Sequence, residues 1–219
     1  METGYGKVVT FYSYKGGVGR SMALANIAVI LAKWGKKVLM VDWDLEAPGL
    51  EYFFFHRTKD KDRIRQVQEK KGVIDILMNR LESASFQSEA ISWNDYEVDL
   101  AEIVPIHKEG SLKLITSGRK GADYVEKVRK FNYSEFYDTS DGGVFIEEIR
   151  IAWLDKFDYV FIDSRTGLTE SGGVCTIHLP DILLLLFSPN EQSLKGVLNV
   201  ADRSQTKRAA LSFTRYELQ

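Results

Sequence analysis

Seven residues near the start of the chain, Lys15-Gly16-Gly17-Val18-Gly19-Arg20-Ser21, combine the residue types that phosphate chemistry needs. Glycines let successive backbone N–H groups turn inward into an anion-binding concavity, and a helix beginning directly afterwards points its positive end at the same place. A polyphosphate fits such a cradle. The common phosphate-loop pattern G-x-x-x-x-G-K-[ST] is not met, because its first glycine would fall on Tyr14 and its lysine on Arg20. Three carboxylates, Asp42, Asp44 and Asp163, stand at or just after the ends of apolar runs.

The elements that must hold these groups are legible on either side. Lys7–Tyr12 is a short β-branched and aromatic run, as expected of a buried strand, and it leads straight into the glycines. Ser21–Trp34 is rich in good helix formers and apolar almost all round, which predicts a helix packed in an interior layer and capped at Gly35. Lys37–Val41 is a second strand, so residues 7–42 form one β-loop-α-β unit with parallel strands and a right-handed crossover. Further strands are expected at Leu112–Thr116, Tyr159–Ile162 and Asp181–Phe187, with an edge strand at Glu97–Val104. Helices are expected at Val73–Leu81, Ser85–Ile91, within Gly121–Tyr137 and at Gly143–Lys156. The first should bury Ile74, Leu77, Met78 and Leu81; a last one, from near Ser193, should bury Leu194, Val197, Leu198 and Ala201. Continuous apolar strands alternating with helices indicate an α/β fold, a mostly parallel twisted sheet covered on both faces, whose ligands bind at the carboxyl ends of the strands. The loops after Tyr12, Val41, Ile162 and Phe187 all lie at such ends.

Composition narrows the function classes. With 29 Lys or Arg against 31 Asp or Glu, the net charge of −2 gives no global field toward nucleic acid or anionic lipid. The 56–71 run reads first as a solvated loop and helix face, as charge runs usually are; a local DNA contact would use that run or Arg203, Lys207 and Arg208. The lone Cys175 excludes an intrachain disulfide framework and a cysteine-rich zinc site, and is expected to serve packing in a cytoplasmic protein. His56, His107 and His178 share no ligand spacing. Apolar stretches such as Ile182–Phe187 are too short to span a bilayer, and the mixed tail after Ala210 does not read as a membrane anchor.

Lys15-Gly-Gly-Val-Gly resembles the deviant Walker A motif of the ParA/MinD class of P-loop ATPases. Asp42-Trp43-Asp44-Leu45-Glu46-Ala47-Pro48-Gly49 looks like the switch I segment of that class, and Phe157–Asp163 with Gly167 looks like its Walker B and switch II. The resemblance spans roughly residues 7–200, with core elements in 7–55 and 111–210 and a variable part at about 56–140, all within one nucleotide-binding domain over 1–219. It implies a P-loop NTPase fold, ATP and Mg²⁺ as cofactors, and an ATP-dependent homodimer. Lys15, Gly16, Gly17, Val18, Gly19, Arg20, Ser21 and Met22 would bind the nucleotide, with Asn190 near its base or, alternatively, capping a helix. Ser21, Asp44 and Asp163 would surround the metal. Asp44 would also orient the attacking water, and Asp42 would be a metal-shell or structural carboxylate. Lys15 would reach the partner subunit's phosphates in the manner of an arginine finger. Arg165 would sense the γ-phosphate or form a surface ion pair.

Arg20 is a departure, since the class has lysine there. Guanidinium offers a fork for phosphate but cannot simply replace a compact ammonium, so binding survives the exchange more readily than turnover. Two functions of different kinds follow: a hydrolysing dimerisation switch, or a nucleotide-sensing scaffold module without turnover. Phosphotransfer to protein has no visible acceptor tail. KGGVGR near a chain start also resembles amino-terminal ATPase modules of larger bacterial signalling proteins. Sheets of the class continue past the Leu194 helix, so the closing RAALSFTRYELQ suggests a truncated domain with its base-binding wall and an additional domain or protein partner beyond it.

Overall fold

A computed structural model describes residues 6–216 except 57–58, 84–85 and 168–172, with side chains described up to Lys207. Six strands form one sheet: β1 Lys7–Ser13, β2 Lys37–Asp42, β3 Glu97–Asp99, β4 Ser111–Ile115, β5 Tyr159–Asp163 and β6 Ile182–Leu186. Their order is β3-β4-β2-β5-β1-β6. The short edge strand β3 runs antiparallel to β4 and every other pairing is parallel. Asp42 and Asp163 are register partners on adjacent strands, so the pairing itself brings these carboxylates together.

Helices are α1 Arg20–Lys33, α2 Lys61–Glu69, α3 Val73–Glu82, α4 Ala122–Lys130, α5 Tyr133–Thr139, α6 Gly142–Leu154 and α7 Glu191–Tyr216, with a π-helical turn at Val174–His178. Alternate strand residues face opposite layers. Val9, Phe11, Val38, Met40 and Phe161 pack with α1 and α2; Val8, Leu39, Val41, Val160 and Ile162 pack with α3, α5 and α6. At the far end Tyr12 meets Val197 and Val200 of α7.

Five expectations need correction. The α1 helix is covered on one face only: Leu24, Ala25, Ala28 and Ala32 are buried, whereas Met22, Ile27, Ile30 and Trp34 are exposed. Its alanines let the backbone approach the sheet and turn the larger residues outward. Helix α7 buries Ser193, Val197, Val200 and Ser204 and leaves Leu194 and Leu198 exposed. The rings of Tyr12 and Tyr14 occupy the space beneath it and admit only small side chains there. Helix α3 buries Val73, Ile76, Asp75 and Arg80 in addition to Ile74, Leu77 and Met78, because elements lie on several sides of it, and Leu81 is only partly covered. Of the expected helix at 85–91 there is a 3₁₀ turn at Ser88–Ala90, with residue 85 outside the described residues, and the strand in 97–104 ends at Asp99. Gly35 takes φ +87°, the left-handed cap expected after α1.

Candidate phosphate and metal site

The loop between β1 and α1 turns through Gly17 at φ +77° and Gly19 at φ +80°, a region that L side chains enter at a steric cost. A Cβ at Gly16 or Gly17 would meet nothing within 4 Å, so their backbone faces open space where an anion can approach. Ser21 lies in the first turn of α1, and Met22 beside it is 54% exposed.

Arg20 does not project into that space. Its guanidinium is 8% exposed and turned into the protein, where Nε donates to Asp163 Oδ1 at 2.5 Å and Nη2 donates to Asp44 Oδ2 at 3.0 Å. Nη1 lies 3.4 Å from Ser13 Oγ. Burial works against this charge, but Asp163 and then Asp44 outweigh it and hold Arg20 protonated even more firmly than usual. Burial pushes the Asp163 carboxyl above its ordinary range, against the pull of Arg20 and of a hydrogen bond from Ser21. The expected direct fork of Arg20 on phosphate is therefore not the geometry present.

Asp42 has a structural task. Its Oδ2 accepts from the N–H groups of Gly49 at 2.9 Å and Leu50 at 3.1 Å, and Oδ1 accepts from Asp44 N–H at 3.2 Å. Burial first, and the Asp163 charge second, raise its pKa to about 7. The loop after β2 is thus wound around one carboxylate, which fixes Asp44 over Asp163. Asp44 Oδ1 in turn accepts from Ala47 N–H, and Tyr124 Oη donates to Leu45 O at 2.6 Å.

As a donor set for Mg²⁺, the Ser21 hydroxyl with the Asp44 and Asp163 carboxylates is chemically apt, being hard oxygens in the small number that Mg²⁺ takes from protein when phosphates supply the rest. Among the described residues no cluster of three or more His, Cys, Asp or Glu forms a self-sufficient metal cage. The residues fit a cation shared with a phosphate ligand, provided Arg20 leaves the carboxylates.

The remaining candidates separate cleanly. Lys15 is on the exposed side and its Nζ donates to Gln192 Oε1. Asn190 Oδ1 accepts from Ser193 N–H at 2.9 Å while its Nδ2 donates to Ser188 Oγ, so this side chain caps α7. Arg165 pairs with Glu46 and ties the loop after β5 to the loop after β2. Cys175 is buried packing, and its thiol pKa is raised by burial. Sequence reasoning missed Gln192 and Gly196 of α7: a Cβ at Gly196 would lie 2.1 Å from the Tyr14 ring, so its absence makes room for the residue that opens the loop. The only sequence signal for this was one glycine inside a helical pattern. It also missed Glu51, fully buried with neither carboxylate oxygen hydrogen-bonded among the described residues. A cavity of about 490 Å³ is lined by residues that include Tyr12, Tyr133, Gly167 and Arg203 and by none of residues 15–22. No described helix is long and apolar enough to cross a membrane.

Residues 6–209 match the model of the AAA_31 family, an AAA domain. The chain belongs to this family. Among curated relatives of this AAA chain, the uncharacterized ATP-binding protein MJ0169 of Methanocaldococcus jannaschii is 26% identical over 198 residues, covering 90% of this chain and 59% of that protein. The septum site-determining protein MinD of Helicobacter pylori is 28% identical over 193 residues, covering 86% of this chain and 55% of that one. The chain therefore spans less than two thirds of the length of these relatives. Among solved structures, MinD of Pyrococcus horikoshii in complex with Mg-ADP superposes with a TM-score of 0.62 at 18% identity, covering 91% of this chain and 65% of that one. The fold is the mostly parallel P-loop NTPase sheet of the ParA/MinD type.

Proposed function

We propose that this AAA chain binds and hydrolyses ATP with Mg²⁺ and works as a nucleotide-dependent dimerisation switch. The observation that carries the reading is the convergence, at the carboxyl end of one parallel sheet, of an open glycine loop, the start of α1, and two buried carboxylates from β5 and the loop after β2. Gly16, Gly17, Val18 and Gly19 would present backbone N–H groups to the phosphates, with Arg20, Ser21 and Met22 at the helix start. Ser21, Asp44 and Asp163 would hold Mg²⁺, which supplies neutralisation of the β- and γ-phosphate oxygens when bound. In hydrolysis a bond forms from water oxygen to the γ-phosphorus as the bond to the β–γ bridging oxygen breaks, and that electron pair leaves on ADP. Asp44 would orient the water. Lys15, half-buried and donating to Gln192 among the described residues, would trade that contact for the partner subunit's phosphates. The protein works in the cytoplasm, as a nucleotide-binding domain whose nucleotide state a protein partner reads.

Light scattering with ATP and Mg²⁺ tests the switch. The mass should double for wild type and stay monomeric for Lys15→Ala; a mass indifferent to nucleotide in wild type rejects it. A second reading, nucleotide sensing without turnover, is favoured by the burial of Arg20 on the very carboxylates that hydrolysis needs. Sustained phosphate release that Asp44→Ala abolishes decides against that second reading.

A further inference from the structure

We propose that Arg20 is an internal lock: its guanidinium stands in for the divalent cation on Asp44 and Asp163, and the site opens only by an exchange in which phosphate takes the guanidinium while a divalent cation takes the carboxylates. The inference rests on the nucleotide-site reading above and adds to it a rule for how the site is loaded.

The geometry supplies each part. All three guanidinium nitrogens have partners inside the protein, two on carboxylates and one on Ser13 Oγ. Asp44 and Asp163 are themselves buried, so removing their cation without replacement leaves two uncompensated charges away from water. Deprotonation offers no escape, because guanidinium keeps its proton at any pH a protein tolerates. A divalent cation arriving alone would have to expel Arg20 into a loop that offers it no anion. Phosphate arriving alone could bind Arg20 only by stripping the carboxylates. Metal and polyphosphate together satisfy both halves, so their binding is reciprocally coupled. A lysine at this position has a single compact ammonium in place of the planar fork whose separate Nε and Nη2 reach the two carboxylates here. Arginine at position 20 therefore stabilises the closed state, and the chain departs from the general loop pattern at the residue that makes the lock.

The experiment has a metal arm and a ligand arm. In thermal melts with millimolar Mg²⁺ or Mn²⁺ alone, wild type should not shift, whereas Arg20→Lys and Arg20→Gln should melt higher with metal, since their carboxylates are free to take it. Equal shifts in wild type and variants overturn the lock. In the ligand arm, the Arg20 Nε–H resonance of ¹⁵N-labelled wild type, assigned by its loss in Arg20→Lys, should stay in place with Mg²⁺ alone and move with Mg²⁺ plus pyrophosphate or a slowly hydrolysed ATP analogue. Calorimetry should show the analogue binding wild type about tenfold or more tightly with Mg²⁺ than with EDTA, the worth of one hydrogen bond to a charged group. An Arg20 resonance unmoved by a bound analogue contradicts the exchange. Absence of any nucleotide binding instead rejects the ATP reading, and the metal arm still decides the lock.

Discussion

The two cations of the glycine loop have opposite fates. Lys15, at its start, is half-buried and among the described residues donates to Gln192; Arg20, at its end, is buried between Asp44 and Asp163. The difference follows from what lies beneath each. The sheet register sets Asp163 beside Asp42, whose hydrogen bonds to the next loop carry Asp44 over the same spot, and a cation there is nearly obligatory. Below Lys15 lies α7, which offers Tyr14 a glycine and Lys15 an amide, neither of which demands a charge. One cation is thus committed to the fold of its own chain, and the other is available to a second molecule.

The contrast can be broken in order of expected effect. Lys15→Ala should lower ATP turnover about a thousandfold or more, as loss of a cation supplied in trans does, with the circular dichroism spectrum unchanged. A turnover within a few fold of wild type would return Lys15 to the status of a surface residue. Arg20→Ala should cost about 3–5 kcal/mol in urea denaturation, because two buried carboxylates lose their partner. Lys15→Ala in the same assay should cost no more than about 0.5 kcal/mol, and similar losses for both would abolish the distinction. Gly196→Ala sharpens the Lys15 side. The new methyl group must displace the Tyr14 ring, at about 1–3 kcal/mol of overpacking, and should weaken binding of an ATP analogue in calorimetry because the loop begins at Tyr14. Tyr124→Phe probes the Arg20 side more gently. Loss of the hydroxyl that holds Leu45 O should cost about 1 kcal/mol and leave Asp44 less firmly placed, seen as faster hydrogen exchange in residues 43–49.

What the sequence disclosed and what it hid also divide along this line. Strands such as Lys37–Asp42 and Tyr159–Asp163 are apolar and β-branched enough to be recognised locally, and φ-restricted turns at Gly17, Gly19 and Gly35 need glycine for a reason visible in the residue itself. The positions of Asp42, Asp44, Asp163 and Ser21 in the fold were legible, because each stands at or just after a strand end or at a helix start. The direction of the Arg20 side chain was not, since it is chosen by carboxylates 24 and 143 residues away in the chain. Nor was the buried face of α7. The 3.6-residue pattern favours Leu194 and Leu198, yet the tyrosine rings of β1 and the loop leave room only for Ser193, Gly196, Val197 and Val200. Edge strand β3 ends at Asp99, although the next N–H, of Leu100, still donates to Leu112 O of β4 before the chain turns.

The central claim is that the glycine loop, with Arg20, Asp44 and Asp163 beneath it, is a nucleotide site. Titration calorimetry of the wild-type chain with Mg²⁺ and a slowly hydrolysed ATP analogue, beside Gly17→Val, tests it most directly. Gly17 sits at φ +77° with open space before it, so valine there strains the loop without touching the core. The account predicts one saturable nucleotide per wild-type chain and its loss in Gly17→Val at unchanged melting behaviour. No binding by wild type, or equal binding by both, would contradict it.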